Sequence, residues 1–69
     1  MMSPNEIREA RRRFGLSLDR MAEMLGYEGA FRKDQMHKLE TGAREIRPAQ
    51  ERLLRAYLEG YRPPDWPTD

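Results

Sequence analysis

Glycines divide this 69-residue chain into segments that allow only short helices. Gly15, Gly26, Gly42 and Gly60 each follow residues whose apolar members recur at helical spacing. Glycine readily adopts the left-handed conformation that ends a helix, so each position is a natural stop. No segment shows the alternation of a strand, and no internal repeat is visible. We therefore predict an all-α fold of about four short helices around one small core.

The first two helices have clear start signals. Ser3, Pro4 and Glu6 follow the pattern of a capping box with proline at the first helical position. Ser17 is the expected cap of the second helix, and Asp19 is favourably placed in its first turn. These signals place the first helix before Gly15 and the second before Gly26.

The third helix contains Met36 and Leu39, but its beginning is open between two alternatives. Either it begins early, near Ala30, or a longer loop precedes a helix that starts near Lys33. An early start would place the charged Arg32 one turn before Met36 on the buried face, which favours the loop. In the loop alternative, Phe31 precedes the helix and packs on Met36 as a hydrophobic staple.

The fourth helix is expected to run from about Pro48 to Glu59, with one wide apolar stripe. Three prolines among residues 61–69 predict an extended tail that follows a domain of residues 1–60. Trp66 has two possible roles: it straps an apolar edge of the core, or it contacts a partner or a second copy.

Composition excludes several classes of function. Thirteen basic and twelve acidic side chains leave a net charge of +1, which by itself gives no reason to expect nucleic acid. The chain has no cysteine and a single histidine, so we expect no metal or other cofactor. It has no apolar run of membrane length, no secretory signal and no catalytic motif. We expect a cytoplasmic protein that is not an enzyme.

Two stretches carry a joint pattern, IREARRRFGLSLDRMAEMLG (residues 7–26) and MHKLETGARE (residues 36–45). An arginine in the first helix is followed by Gly-Leu-Ser, a central alanine, a terminal glycine and a hydrophobic-x-x-hydrophobic-Glu-x-Gly ending. In this order and spacing, residues 3–58 resemble the Cro/C1-type, or XRE-type, helix-turn-helix regulators. The matching positions are Arg11, Gly15, Leu16, Ser17, Ala22, Gly26, Met36, Leu39, Glu40 and Gly42.

The chain departs from the family pattern between the second and third helices. Thirteen residues separate Gly26 from Glu40, four more than is usual in the family. The extra residues belong to YEGAFRKD, residues 27–34. We interpret this segment as a modified DNA-reading edge rather than as filler.

The resemblance implies a small lambda-repressor-like helix-turn-helix bundle that binds double-stranded DNA with its third helix in the major groove. In the family, the arginine matched by Arg11 forms a structural clamp with the glutamate matched by Glu40. Asp34 either accepts from a cytosine amine or restrains a neighbouring arginine. The candidate base contacts are Arg32, Lys33, Gln35, His37 and Lys38, and the candidate phosphate contacts are Ser17, Arg20 and Arg44.

These features predict a small autoregulated repressor of phage or mobile-element type. We expect a homodimer on an inverted-repeat operator, because one module of this size covers a single half-site. We expect no separate sensing or dimerisation domain and no small-molecule ligand, so concentration itself would provide the control. The alternative is an antitoxin or adaptor that uses the same fold to hold a protein partner.

Overall fold

A computed structural model describes residues 1–67, which form four α-helices and no β-strand. The helices are α1, Pro4–Phe14; α2, Leu18–Met24; α3, Arg32–Thr41; and α4, Pro48–Leu58. This confirms the all-α prediction. The final two residues of the predicted tail, Thr68 and Asp69, lie outside the described residues. Within residues 1–67, no helix combines the length and apolar character that crossing a membrane requires.

Local hydrogen bonds begin α1 and α2 where the sequence predicts. The Ser3 hydroxyl accepts from the Glu6 amide at 3.2 Å, and the Glu6 carboxylate accepts from the Ser3 amide at 2.9 Å. The bond from the Ser3 amide holds the pKa of Glu6 below its usual value. The Ser17 hydroxyl accepts from the Arg20 amide at 3.2 Å. Each helix therefore has an N-terminal amide satisfied by its own cap.

The end of α2 is also determined by hydrogen bonds between near neighbours in the chain. Gly26 has a φ of +89°, and its amide donates to the carbonyl of Glu23 at 3.1 Å. The next amide, that of Tyr27, donates to the carbonyl of Ala22 at 3.0 Å. These two bonds form a Schellman motif, which requires a residue with positive φ at the glycine position. Gly26 therefore turns the chain away from α2.

Helix α3 begins at Arg32, one residue before the start expected in the loop alternative and two residues after the early start near Ala30. The predicted staple is wrong, because Phe31 is 76% exposed while Met36 is completely buried. Phe31 itself occupies the cap position of α3, where its carbonyl accepts from the Gln35 amide at 3.0 Å. A staple joins the residue before the cap to the fourth helical residue, whereas Phe31 is the cap itself and Met36 is the fifth helical residue.

The core lies where the helices meet. Helix α3 packs against both α1 and α2. Ala22 of α2 has no exposed surface, so it fits a close approach of helices. The buried apolar residues are Met2, Ile7, Ala10, Leu16, Met21, Ala22, Met24, Leu25, Met36, Leu39, Ile46, Leu54 and Tyr57.

Helix α4 and the residues after it close this core. The Tyr57 hydroxyl donates to the Met24 carbonyl at 2.7 Å, which satisfies a carbonyl at the end of α2. Trp66 packs edge-on against Phe14 and Tyr57, with ring centroids 5.3 and 5.0 Å away. The Trp66 amide donates to the Pro63 carbonyl at 3.0 Å, so a turn carries the indole back to the helices. Of the two alternatives for Trp66, the structure shows contact with the core.

Candidate functional site

Helix α3 has one buried side and one polar exposed side. Met36 and Leu39 are completely buried, so they fix the rotation of the helix about its axis. The remaining surface is polar and faces solvent. Its exposed side chains on the helix are Lys33, Asp34, His37, Lys38 and Thr41.

Glu40 anchors the end of α3 to α1. Its side chain is only 4% exposed, and it accepts from Arg11 Nε at 2.6 Å and from Arg11 Nη2 at 3.2 Å. The Arg11 Nη1 atom donates to the Leu16 carbonyl at 3.1 Å. The predicted Arg11–Glu40 pair is therefore present in two-pronged geometry, the strong form of an arginine–carboxylate contact.

Arg8 is a second partner of Glu40 that the sequence did not predict. Its Nη2 atom donates to the Glu40 carbonyl at 3.1 Å, and its Nε atom lies 3.8 Å from Glu40 Oε1. Arg8 and Arg11 are three residues apart on α1, and residues at this spacing share a helix face. This spacing is the sequence feature from which the contact of Arg8 with Glu40 could have been predicted. The two arginines together compensate the buried carboxylate.

Arg32 anchors the beginning of α3 to α2. Its Nε and Nη2 atoms donate to the two carboxylate oxygens of Asp19 at 2.7 and 2.8 Å. Its Nη2 atom also lies 3.0 Å from Glu23 Oε1. The hydrogen bonds from Arg32 lower the pKa of Asp19, and the same pair raises the pKa of Arg32.

This arrangement changes what Arg32 contributes to the site. Its guanidinium faces two carboxylates of α2 instead of standing among the exposed side chains. Asp19 and Glu23 are four residues apart, so both can reach one guanidinium from the same face of α2. The contact of Arg32 with a base stays a prediction, whereas its contact with α2 is a structural fact.

Gln35 and Arg44 form one unit at the exposed edge of α3. The Arg44 guanidinium donates to Gln35 Oε1, and the Arg44 amide donates to the Lys38 carbonyl at 3.2 Å. A guanidinium can only donate, so the carbonyl oxygen of the Gln35 amide must face Arg44. The Nε2 group is then free to donate elsewhere, and the second lone pair of Oε1 remains an acceptor. Gln35, a predicted base contact, and Arg44, a predicted phosphate contact, are thus hydrogen-bonded to each other.

Two further predicted site residues line a shallow groove. Lys33 and His37 lie four residues apart on the exposed side of α3. The groove has a volume of about 510 Å³, and its other lining residues are Leu18, Ala30 and Asp34. Lys38 lies beside this region and pairs with Asp34 at 3.3 Å. Within the described residues Asp34 therefore pairs with a lysine and not with an arginine, and its contact with a cytosine amine stays a prediction.

The two remaining predicted phosphate contacts lie on α2 or at its start. Ser17 is exposed, and its hydroxyl still has a hydrogen to donate while it accepts from the Arg20 amide. The Arg20 Nη1 atom lies 3.4 Å from Glu23 Oε1 at the surface. Glu23 therefore receives both Arg20 and Arg32, so α2 carries a mixed charge beside α3.

Phe31 is the residue whose exposure the sequence failed to predict. Phe31, Gln35 and Lys38 lie at positions i, i+4 and i+7 of the same helical register. They therefore form a stripe that runs along the outward side of α3.

No family model, curated protein or solved structure matches this chain.

Proposed function

We propose that this chain binds double-stranded DNA sequence-specifically as a small transcriptional repressor, with α3 in the major groove. The observation that carries the proposal is the anchoring of α3 at both ends. Arg32 holds its start to α2, and Glu40 holds its end to α1. Between them lies a ten-residue helix with a polar outer side. An α-helix about 10–12 Å across fits the major groove, which is about 12 Å wide.

The proposed base contacts are polar side chains of α3, of which Gln35 is half-buried and Lys33, His37 and Lys38 are exposed. Gln35 can donate from Nε2 to adenine N7 and accept at Oε1 from adenine N6, because one lone pair of Oε1 stays available beside Arg44. Lys33 and Lys38 can donate to guanine O6 or N7, and His37 can contact the same edges. In this proposal Arg32 positions α3, and base readout does not depend on its release from Asp19.

The proposed phosphate contacts are Ser17, Arg20 and Arg44. A guanidinium carries five N–H donors, so Arg44 can bind a phosphate while it holds Gln35. These contacts would set the register of α3 on the duplex without reading sequence. With a net charge of only +1, nonspecific attraction is weak, and base contacts must supply much of the discrimination.

The proposed assembly is a homodimer on an inverted repeat. One short helix reaches only a few base pairs, and two copies related by a two-fold axis would place a second α3 on the next half-site. A repressor of this kind can regulate its own gene through its concentration.

A protein-interaction module, such as an antitoxin or adaptor, is the second candidate. Its sequence support was the near-zero net charge and the aromatic residues after α4. Trp66 packs on Phe14 and Tyr57, which leaves Tyr61 as the more exposed aromatic of that segment, at 52%. The packing of Trp66 therefore removes part of the sequence support for this candidate.

Selection from random duplex DNA, followed by anisotropy measurements across salt concentration, tests the proposed function. We expect an enriched half-site repeated with inverted symmetry, and affinity that falls steeply as salt rises. Gln35→Ala or Lys33→Ala should lose preference at one operator position, at a cost of roughly 1–3 kcal/mol. Arg20→Ala should weaken all duplexes nearly equally. The matched control is Arg55→Ala on α4, which removes the same charge and should leave binding unchanged.

An absence of any enriched duplex would contradict the proposed function. Binding to a protein partner with little salt dependence would support the interaction module instead.

A further inference from the structure

Phe31 is a large apolar side chain that the fold leaves in water. It is 76% exposed, although it lies directly before the anchored residue Arg32. Its exposed ring contributes little to the core, so its packing does not explain why an aromatic residue occupies this position. The position itself is well defined, because the Phe31 carbonyl accepts from the Gln35 amide at 3.0 Å.

The ring stands at the beginning of the stripe formed by Phe31, Gln35 and Lys38. In helices that enter the major groove, N-terminal residues come closest to the base edges. Gln35 follows Phe31 by four residues, or about 6 Å along the helix axis. Successive base pairs are about 3.4 Å apart, so this distance corresponds to one or two base-pair steps.

The major-groove edge of a base pair offers one apolar group, the C5-methyl of thymine, and phenylalanine is among the side chains that contact it. We propose that Phe31 contacts the C5-methyl group of a thymine one or two base pairs from the base that Gln35 contacts. This inference rests on the proposed DNA-binding function and adds a specific base to it.

Among the large apolar side chains of the described residues, only Met1, Phe31 and Tyr61 are exposed, so Phe31 does not belong to a run of exposed apolar residues along the chain. The groove on the exposed side of α3 combines Leu18 and Ala30 with the polar residues Lys33, Asp34 and His37, and Phe31 is not among its lining residues. Interaction surfaces for proteins are usually continuous apolar patches of a few hundred Å². A single exposed ring matches the single methyl group that a thymine presents in the polar major groove.

Replacement of thymine by deoxyuridine in the selected operator tests the inference, because it removes the methyl group and keeps the base-pairing groups. Each thymine of one half-site is replaced in turn, and affinity is measured for the wild type, Phe31→Ala and the matched aromatic control Tyr61→Ala. We expect one position at which deoxyuridine weakens wild-type binding about fourfold, the effect of one buried methyl group. Phe31→Ala should bind both operators equally, whereas Tyr61→Ala should keep the wild-type ratio.

The outcomes separate the inference from the proposed function. A wild type that binds its operator but ignores every deoxyuridine would overturn the inference and leave DNA binding intact. The same holds if Phe31→Ala keeps the fourfold ratio, or if it changes only self-association in sedimentation. Failure to select any duplex would overturn both. Thermal melting should show that Phe31→Ala is as stable as the wild type, because the ring is exposed.

Discussion

Arg32 and Asp19 join α3 to α2 through two parallel hydrogen bonds, from Nε to Oδ1 at 2.7 Å and from Nη2 to Oδ2 at 2.8 Å. At the opposite end of α3, Glu40 is held by Arg11 of α1. The helix is therefore tied to a different neighbour at each end. Rotation about its axis is fixed separately, by the buried Met36 and Leu39.

The Arg11–Glu40 pair predicts a large and specific loss of stability. Arg11→Ala leaves the carboxylate of Glu40 buried beside Arg8 alone, so the free energy of unfolding should fall by about 3–5 kcal/mol. Arg12→Ala is the matched control on the same helix. Its pair with Glu9 is exposed, so the loss should stay below about 1 kcal/mol. Urea denaturation of the three proteins measures both values.

A double-mutant cycle checks that this loss comes from the pair. The loss of stability in the double variant Arg11→Ala, Glu40→Ala should be smaller than the sum of the two single losses. The reason is that the double variant removes both members of the pair and leaves neither without its partner. Simple addition of the two losses would show that the residues act independently.

The Arg32–Asp19 pair predicts a pH dependence. The hydrogen bonds from Arg32 lower the pKa of Asp19 in the folded protein. The stabilisation from this pair is therefore fully present above the pKa of Asp19 in the unfolded chain, about 3.9. It is lost as the pH falls through the lower folded pKa. The melting temperature of the wild type should therefore exceed that of Arg32→Ala at neutral pH, and the difference should shrink below about pH 4. The raised pKa of Arg32 adds stability that is lost only at strongly alkaline pH.

Carboxylates that do not contact Arg32 act equally in both proteins of this comparison, whereas Glu23 loses a partner together with Asp19. Glu6 and Glu51 also have lowered pKa values, through amide hydrogen bonds from Ser3 and Met2. Their contributions cancel in the difference between wild type and Arg32→Ala. A difference that stays constant down to pH 2 would contradict the assigned role of Asp19.

The sequence predicted the parts of this fold that depend on near neighbours. Ser3 and Glu6 are three residues apart, so their capping box is a local property. The contact of Arg32 with Asp19 spans thirteen residues and depends on how α2 and α3 pack, which no local pattern encodes. The staple from Phe31 failed through a shift of one residue in the helix start, since each residue turns a side chain by about 100°.

The candidate site was predicted in composition but not in its internal contacts. Lys33 and His37 were placed on the exposed side of α3 by the apolar spacing of Met36 and Leu39. The bond between Arg44 and Gln35 was not predicted, because it depends on the path of the chain after α3 ends. The contacts of these four side chains with DNA stay predictions.

Trp66 predicts a loss of stability that does not depend on protein concentration. Trp66→Ala removes the contacts with Phe14 and Tyr57, and the guanidinium of Arg62 loses the ring 4.3 Å away. The expected loss is about 2 kcal/mol, less than for a fully buried tryptophan. Melting curves at two concentrations that differ tenfold, together with sedimentation, measure it. A loss that grows on dilution would instead assign Trp66 to a contact between copies.

Arg44 and Gln35 predict coupled effects on DNA binding. Arg44→Ala should weaken binding to all duplexes and also relax the base preference at the position of Gln35, because the amide of Gln35 loses its orienting partner. Gln35→Ala should then add little to Arg44→Ala at that position. Binding of the four proteins to operators altered at one base pair measures the coupling. Strictly additive effects would show that the two side chains work separately.

The two helices on either side of the connection between Gly26 and Arg32 are each held by contacts outside it. The Schellman motif ends α2 on one side, and the Asp19 contact fixes α3 on the other, so neither helix depends on the length of this connection. Gly29 lies inside it with open space around its α-carbon, and loop tips of this kind accept inserted residues. A short tag placed after Gly29 would interrupt the bond from the Arg32 amide to the Gly29 carbonyl, but the Asp19 contact would still hold the start of α3. The connection is thus a natural attachment point for a reporter dye.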